Sequence, residues 1–97
     1  MLVTHVVIQT IDPERRDEYI ERYKEEWRAA ALPGCRSAKI LRAIENPSRV
    51  ILIFEWESIE AHRKANATPA HDRLMDETIR KYQSALSDYA HYEAEDI

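Results

Sequence analysis

The stretch Val50-Ile51-Leu52-Ile53-Phe54, continued by Glu55-Trp56, decides the fold. A strand with one wet face alternates apolar and polar residues, and this run has no polar alternate. Arg49 to Trp56 is therefore predicted as a strand covered on both sides. Upstream of it, Glu45-Asn46-Pro47-Ser48 reads as a hairpin loop, because Asn, Pro and Ser favour turns. The loop leads back to a strand over Cys35 to Ala43, and Pro33-Gly34 separates that strand from a helix. Asp12 is the N-cap of that helix, Pro13 takes its first position, and Glu14 suits the positive end of the helix dipole. The helix is expected to run to about Ala31. Tyr19, Ile20, Tyr23, Trp27 and Ala30 recur at helical spacing as one apolar stripe. Glu14, Arg15, Glu18, Glu21, Arg22, Glu25 and Arg28 form a solvated face. Leu2 to Thr10, rich in β-branched residues, is the first strand and is also apolar on both sides.

Downstream, Ser58 caps a short helix from Ile59 to about Ala67. Thr68 caps a second helical stretch, with Pro69 at its first position. Leu74, Met75, Ile79, Tyr82 and Leu86 make its stripe. Ser87 to Glu95 is read as the last strand, with Tyr89, His91 and Glu93 on one side and Ala90, Tyr92 and Ala94 on the other.

The element order is β-α-β-β-α-β, an α+β ferredoxin-like antiparallel sheet with strands one and three in the centre. In this topology the helices cover one sheet face only. Strands that are apolar on both faces then need another cover, and a second copy of the sheet supplies it. A homodimer is the expected assembly.

The 97 residues make a single domain spanning 1–97. Apolar residues are 44% and charged residues 33%, a folded rather than disordered composition. A net charge of −4 argues against nucleic acid and anionic membrane surfaces, which both require a basic footprint. Cys35 is the only cysteine, so no intrachain disulfide forms and a reducing compartment is expected. There is no basic-then-apolar leader and no apolar run near ~18 residues, which together point to the cytoplasm. Gly34 is the only glycine, which excludes Gly-rich phosphate and dinucleotide loops.

The run from Val50 to His62 also carries a family pattern. An apolar strand ends in Glu55-Trp56, Ser58 opens a helix with Glu60-Ala61, and Thr68-Pro69-Ala70-His71 follows. With the start Val3-Thr4-His5-Val6-Val7 and the turn Pro33-Gly34, the chain resembles the antibiotic biosynthesis monooxygenase domain family over nearly its whole length. The resemblance implies a dimeric α+β barrel with a pocket in each subunit between helices and sheet. Members include cofactor-independent oxygenases of polycyclic quinols and anthrones, haem-degrading enzymes, an isomerase of a phosphorylated autoinducer, and proteins without known activity. A related stress-responsive barrel family shares the early His-Val-Val and the later Pro-x-His, but the Trp-x-Ser-x-Glu-Ala run favours the monooxygenases. The haem-degrading branch needs an Asn in strand one and a Trp in the second helical region. It also needs a His in that region, which His71 approximates, but Val7 and Ala65 stand near the Asn and Trp positions, so haem degradation is not expected.

His62 and His71 are the candidate catalytic residues. Imidazole titrates near neutral pH and removes a phenolic or acidic carbon-bound proton. The electron-rich carbanion then reduces oxygen directly, so no cofactor is needed. The bland reading is a His at a helix cap or in solvent. Trp56, Trp27, Phe54, Tyr23 and Tyr82 are expected to hold an aromatic substrate or, alternatively, to be plain core. His5 is placed with them as a substrate-binding residue. His5 and His91, on strands one and four, reach either the cavity or the dimer interface. His62 and His71 are nine residues apart across a helix break. The chain has no His-x-x-x-His or paired-Cys spacing, so no metal site is expected. Asp72 and Asp76, and likewise Cys35, read as ordinary surface and strand residues.

The leading expectation is a cofactor-independent monooxygenase acting on a quinol-like or anthrone-like small aromatic. The alternatives are an isomerase or tautomerase of a small polar metabolite, using Arg36, Lys39 and Arg42, and a non-catalytic, ligand-binding, stress-linked dimer. The bland reading of the three cations is edge-strand charge that blocks aggregation.

Overall fold

Strands β1 (Val3–Ile11) and β3 (Arg49–Trp56) lie side by side at the centre of a four-stranded antiparallel sheet. β2 (Cys35–Arg42) flanks β3 and β4 (Gln83–Tyr92) flanks β1, giving the order β2-β3-β1-β4. The computed structural model describes residues 2–97, the side chain of Ser87 excepted. A 3-10 turn over Pro13–Arg15 leads into α1 (Arg16–Ala30). α2 (Ile59–Asn66), α3 (Pro69–Glu77) and the one-turn α4 (Ile79–Tyr82) connect β3 to β4. The order and the central strands are those the apolar runs predicted.

The N-caps follow the sequence. The Asp12 carboxylate accepts from the Glu14 N–H at 2.9 Å. Ser58 Oγ accepts from the Ala61 N–H at 3.0 Å. Thr68 Oγ1 accepts from the His71 N–H at 3.2 Å and donates to the Ala65 carbonyl at 2.7 Å. Each side chain satisfies a backbone donor that a helix start leaves without a partner.

The pleat sorts β3 into two sets. Val50, Leu52, Phe54 and Trp56 are buried with Tyr19, Ile20 and Tyr23 of α1, Ala65 of α2 and Leu74 of α3. The register brings His5, Val7 and Gln9 of β1 onto the same face. Ile51 and Ile53 point the other way, opposite Ile8 and Val6, and all four are half-buried. Leu41 and Tyr92 continue that second face with 42% and 49% of their surface exposed.

Gln9 is fully buried and polar, and it has two partners. The Tyr19 hydroxyl donates to its Oε1 at 2.7 Å, and its Nε2 donates to Gln83 Oε1 at 2.7 Å. These bonds tie α1, β1 and β4 together. Gly34 has φ +88°, in the region glycine favours, and a Cβ there would lie 2.9 Å from Ala61 Cβ. The chain's single glycine thus lets β2 start against the first turn of α2.

Three expectations need correction. The last strand starts at Gln83 and ends at Tyr92, not Ser87 to Glu95. It pairs along the full length of β1, from Thr4↔Tyr92 to Ile11↔Gln83. Leu86 is consequently a strand residue and not the end of a helical stripe. The second helical stretch breaks at Thr78, whose φ −127° and ψ −85° leave the helical region while its hydroxyl donates to the Leu74 carbonyl at 2.6 Å. Arg22 is not simply solvated. It donates to Glu77 of α3 at 2.8 Å and pairs with buried Glu26 at 3.5 Å, linking α1 to α3.

Candidate active site: a cavity with a histidine floor

The strand register builds the floor. His5 of β1 stands opposite Phe54 of β3 on one side and His91 of β4 on the other, so the three side chains form a row across the sheet. α2 lies over this row. Its Ser58 cap sets the helix phase so that His62 and Ala65 are buried, with His62 8% exposed. The His62 ring stacks on Trp56 at 4.6 Å between centroids and lies 4.4 Å from the His5 ring. Its Nδ1 is 2.7 Å from Nε2 of His91, a hydrogen bond between two imidazoles. One ring nitrogen from each of His5, His62 and His91 lies within 4.8 Å of the other two.

A cavity of about 520 Å³ opens above this cluster. Its walls include Tyr23 and Trp27 of α1, Phe54 and Trp56 of β3, and Leu74 and Met75 of α3. Trp27 sits 4.9 Å from Phe54 and edge-on to Trp56 at 6.5 Å, so helix stripe and strand face meet as an aromatic corner. His71, in the first turn of α3, lines the same cavity. So do Gln83, Leu86, Tyr89 and His91 of β4.

Burial favours the neutral form of His5, His62 and His71. His5 is pushed from 6.5 down to about 4 by desolvation, with the His62 and His91 rings adding to the effect. His62 is pushed down to about 4 by the same desolvation, then by His91 and His71. His71 is also lowered, mainly by burial and against the pull of Asp72. Among the described residues, two buried side-chain polar atoms have no hydrogen-bond partner, Nδ1 of His5 and Nε1 of Trp56. Both belong to cavity-lining residues.

Of the eight residues singled out from the sequence, His62, His71, Trp56, Trp27, Phe54, Tyr23 and His5 line this one cavity; Tyr82 instead lies 5.6 Å from the Tyr19 ring with Arg15 over its face. His91 resolves toward the cavity too. Arg36, Lys39 and Arg42 do not join them. They line an adjoining groove between α1 and β2, which shares Tyr23, Trp27 and Phe54 with the cavity and where Arg42 pairs with Asp17 and Arg36 with Glu57 at 3.8 Å. The expectation of no metal site considered spacing along the chain. The fold instead gathers three histidines from β1, α2 and β4, and cross-strand register is the only signal that would have found them.

Residues 1–77 match the family described as antibiotic biosynthesis monooxygenase. The chain belongs to that family. Solved structures share the fold of this family member across its whole length. An antibiotic biosynthesis monooxygenase, so assigned provisionally, from Chloroflexus aurantiacus is 20% identical, with 99% of this chain and 95% of that chain covered and a TM-score of 0.83. SnoaB, a cofactor-independent oxygenase from Streptomyces nogalater, is 20% identical, with 99% and 95% covered and a TM-score of 0.76. Rv0793 from Mycobacterium tuberculosis is 13% identical, with 100% and 98% covered and a TM-score of 0.78. No curated protein matches the sequence. No helix among the described residues is long and apolar enough to cross a membrane.

Proposed function

We propose that this chain is a monooxygenase that oxygenates a flat phenolic aromatic of the quinol or anthrone type without a cofactor, working as a homodimer in the reducing cytoplasm. One observation carries the reading: a cavity with aromatic walls into which unprotonated imidazoles project. An apolar slot suits a planar ring system, and a few polar groups in it orient the reacting edge. The oxygenase SnoaB, with the same fold, supports the reaction class.

His62 is the base, and His71 is the second candidate. The imidazole takes a proton from an acidic C–H or phenolic O–H of the substrate. The resulting anion passes one electron to dioxygen, and the radical pair closes a carbon–oxygen bond. Protonation of the peroxide and loss of water leave a carbonyl on the ring. One oxygen atom ends in the product, the other in water, and the substrate supplies all the electrons.

A base held near 4 is weak on its own at neutral pH. The anion formed beside it raises its proton affinity, so transfer is easiest when substrate fills the apolar cavity. The His62–His91 hydrogen bond gives the proton a way out, because His91 is exposed on the edge strand. The aromatic corner of Trp27, Phe54 and Trp56 holds the ring, with Tyr23 behind it and His5 beneath.

The homodimer rests on the second sheet face, where Val6, Ile8, Ile51 and Ile53 stand half-buried beside exposed Leu41 and Tyr92. Covering it gains roughly 25 cal/mol per Å² of apolar area, less the cost of association. The single thiol, Cys35, suits a reducing compartment. The cations of the isomerase reading line the adjoining groove, where Arg36 and Arg42 are paired with carboxylates, and Trp27 and Trp56 line the cavity rather than filling it, so no observation favours either alternative.

Oxygen uptake with a panel of hydroquinones and anthrones tests the proposal. Wild type is expected to consume oxygen with at least one of them, and the double variant His62→Ala, His71→Ala to lose that uptake. Equal consumption by both proteins rules the mechanism out.

A further inference from the structure

We propose that His5, His62 and His91 together bind one divalent transition-metal ion, with the remaining coordination position facing the cavity. The inference goes beyond the oxygenase reading and does not depend on it. Three imidazoles from β1, α2 and β4 converge so that one ring nitrogen from each lies within 4.8 Å of the other two. Three protein nitrogens plus one open position is the arrangement of metal sites that exchange a ligand. Imidazole selects zinc, copper, nickel, cobalt or iron over calcium and magnesium, which prefer oxygen ligands. The cluster contains no carboxylate or thiolate.

The distances fit after small movements. Nitrogens bound at about 2.0–2.1 Å in a tetrahedron stand roughly 3.3 Å apart. His62 Nδ1 and His91 Nε2, 2.7 Å apart, must therefore open slightly, while no separation among the three converging nitrogens exceeds 4.8 Å. His91 can give, because β4 is an edge strand and His91 is exposed on it. The hydrogen shared by His62 and His91 moves to the far nitrogen of whichever ring carries it, a tautomer change with no net loss of charge. A second observation points to the same place. Nδ1 of His5 is buried without a hydrogen-bond partner, and such an atom in a folded protein calls for an ion or water beside it.

A metal on His62 occupies the lone pair that the proposed base needs. Metal loading and cofactor-free oxygenation are therefore mutually exclusive, a corollary that does rest on the oxygenase reading.

The test is direct binding. Chelator-treated protein is titrated with Zn²⁺ against a chromophoric chelator, and with Co²⁺ while its visible absorption is recorded. One ion per chain is expected, with the intense visible bands of four-coordinate Co²⁺. His91→Ala, on the exposed edge, should weaken Zn²⁺ binding by more than about 100-fold, since even outer-shell changes cost 10–100-fold. His5→Ala should do the same, with circular dichroism to verify its fold. His71→Ala, in the same cavity but outside the cluster, should bind as wild type. Absence of Zn²⁺ binding, or equal binding by the His91→Ala and wild-type proteins, overturns the site. These readouts need no substrate, so a protein without oxygenase activity that binds Zn²⁺ refutes the function and keeps the site. Oxygen uptake without Zn²⁺ binding does the reverse.

Discussion

Leu52 and Ile53 are neighbours on β3 with nearly the same chemistry, yet they live on different surfaces. Leu52 is 1% exposed, packed among the helices, while Ile53 is half-buried on the opposite face beside Val6. The covered face is finished by the chain's own α1, α2 and α3, and it admits histidines because those helices leave a cavity over them. The other face has no such histidine cluster among the described residues, and in the proposed dimer a second copy covers it. An apolar run therefore reports that a strand is covered without reporting by what.

The comparison breaks or sharpens with paired substitutions. Leu52→Asp buries a carboxylate without a partner and should cost more than about 4 kcal/mol, unfolding the subunit at every concentration as read by circular dichroism. Ile53→Asp should leave the far-ultraviolet spectrum intact and lower dimer association by at least about 100-fold in sedimentation. An Ile53→Asp protein that still sediments as wild type would show that the second face is not the interface.

A smaller effect probes where helix and strand meet at Gly34. Gly34→Ala forces a side chain at φ +88° against Ala61 Cβ, and urea denaturation should show a loss of about 2 kcal/mol. Combining it with Ala61→Gly should relieve the collision and leave the backbone strain.

The smallest effect is the acid sensitivity of the covered face, measured on metal-free protein. His5 and His62 titrate near 4 when folded and near 6.5 when unfolded, so the unfolded chain binds more protons between those values. Stability is full above about pH 6.5 and falls as the pH drops toward 4, by on the order of 1 kcal/mol per group after allowance for solvent. His62→Gln should flatten this slope. An unchanged slope would mean that His62 is not the group desolvated there.

Much of this fold was legible because its signals are local. The uninterrupted run at Val50 to Phe54 fixed a central strand, and Asp12, Ser58 and Thr68 announced three helix starts through their own side chains. The start of β4 was not legible. Gln83 to Leu86 continues the apolar spacing of Leu74, Ile79 and Tyr82, and only pairing with β1 claims it for the sheet. The candidate cavity was half legible. Stripe and strand alternation placed Tyr23, Trp27, Phe54 and Trp56 on facing surfaces, and the caps put His62 and His71 into first turns. The meeting of His5 with His91 depends on register between residues far apart in sequence, which no local pattern encodes.

That register has its own guard. Antiparallel strands tolerate a shift of two residues without turning any side chain to the wrong face, so greasy packing alone discriminates poorly against it. Such a slip of β4 would set Tyr89 or Glu93 across from His5 and dissolve the histidine floor. The contact from Gln9 to Gln83, with Gln9 held by Tyr19, is a polar key for one alignment, because a slip of β4 carries Gln83 away and leaves the buried Gln9 Nε2 without its acceptor. Chemistry at one end of the sheet is thereby indexed by an amide pair at the other.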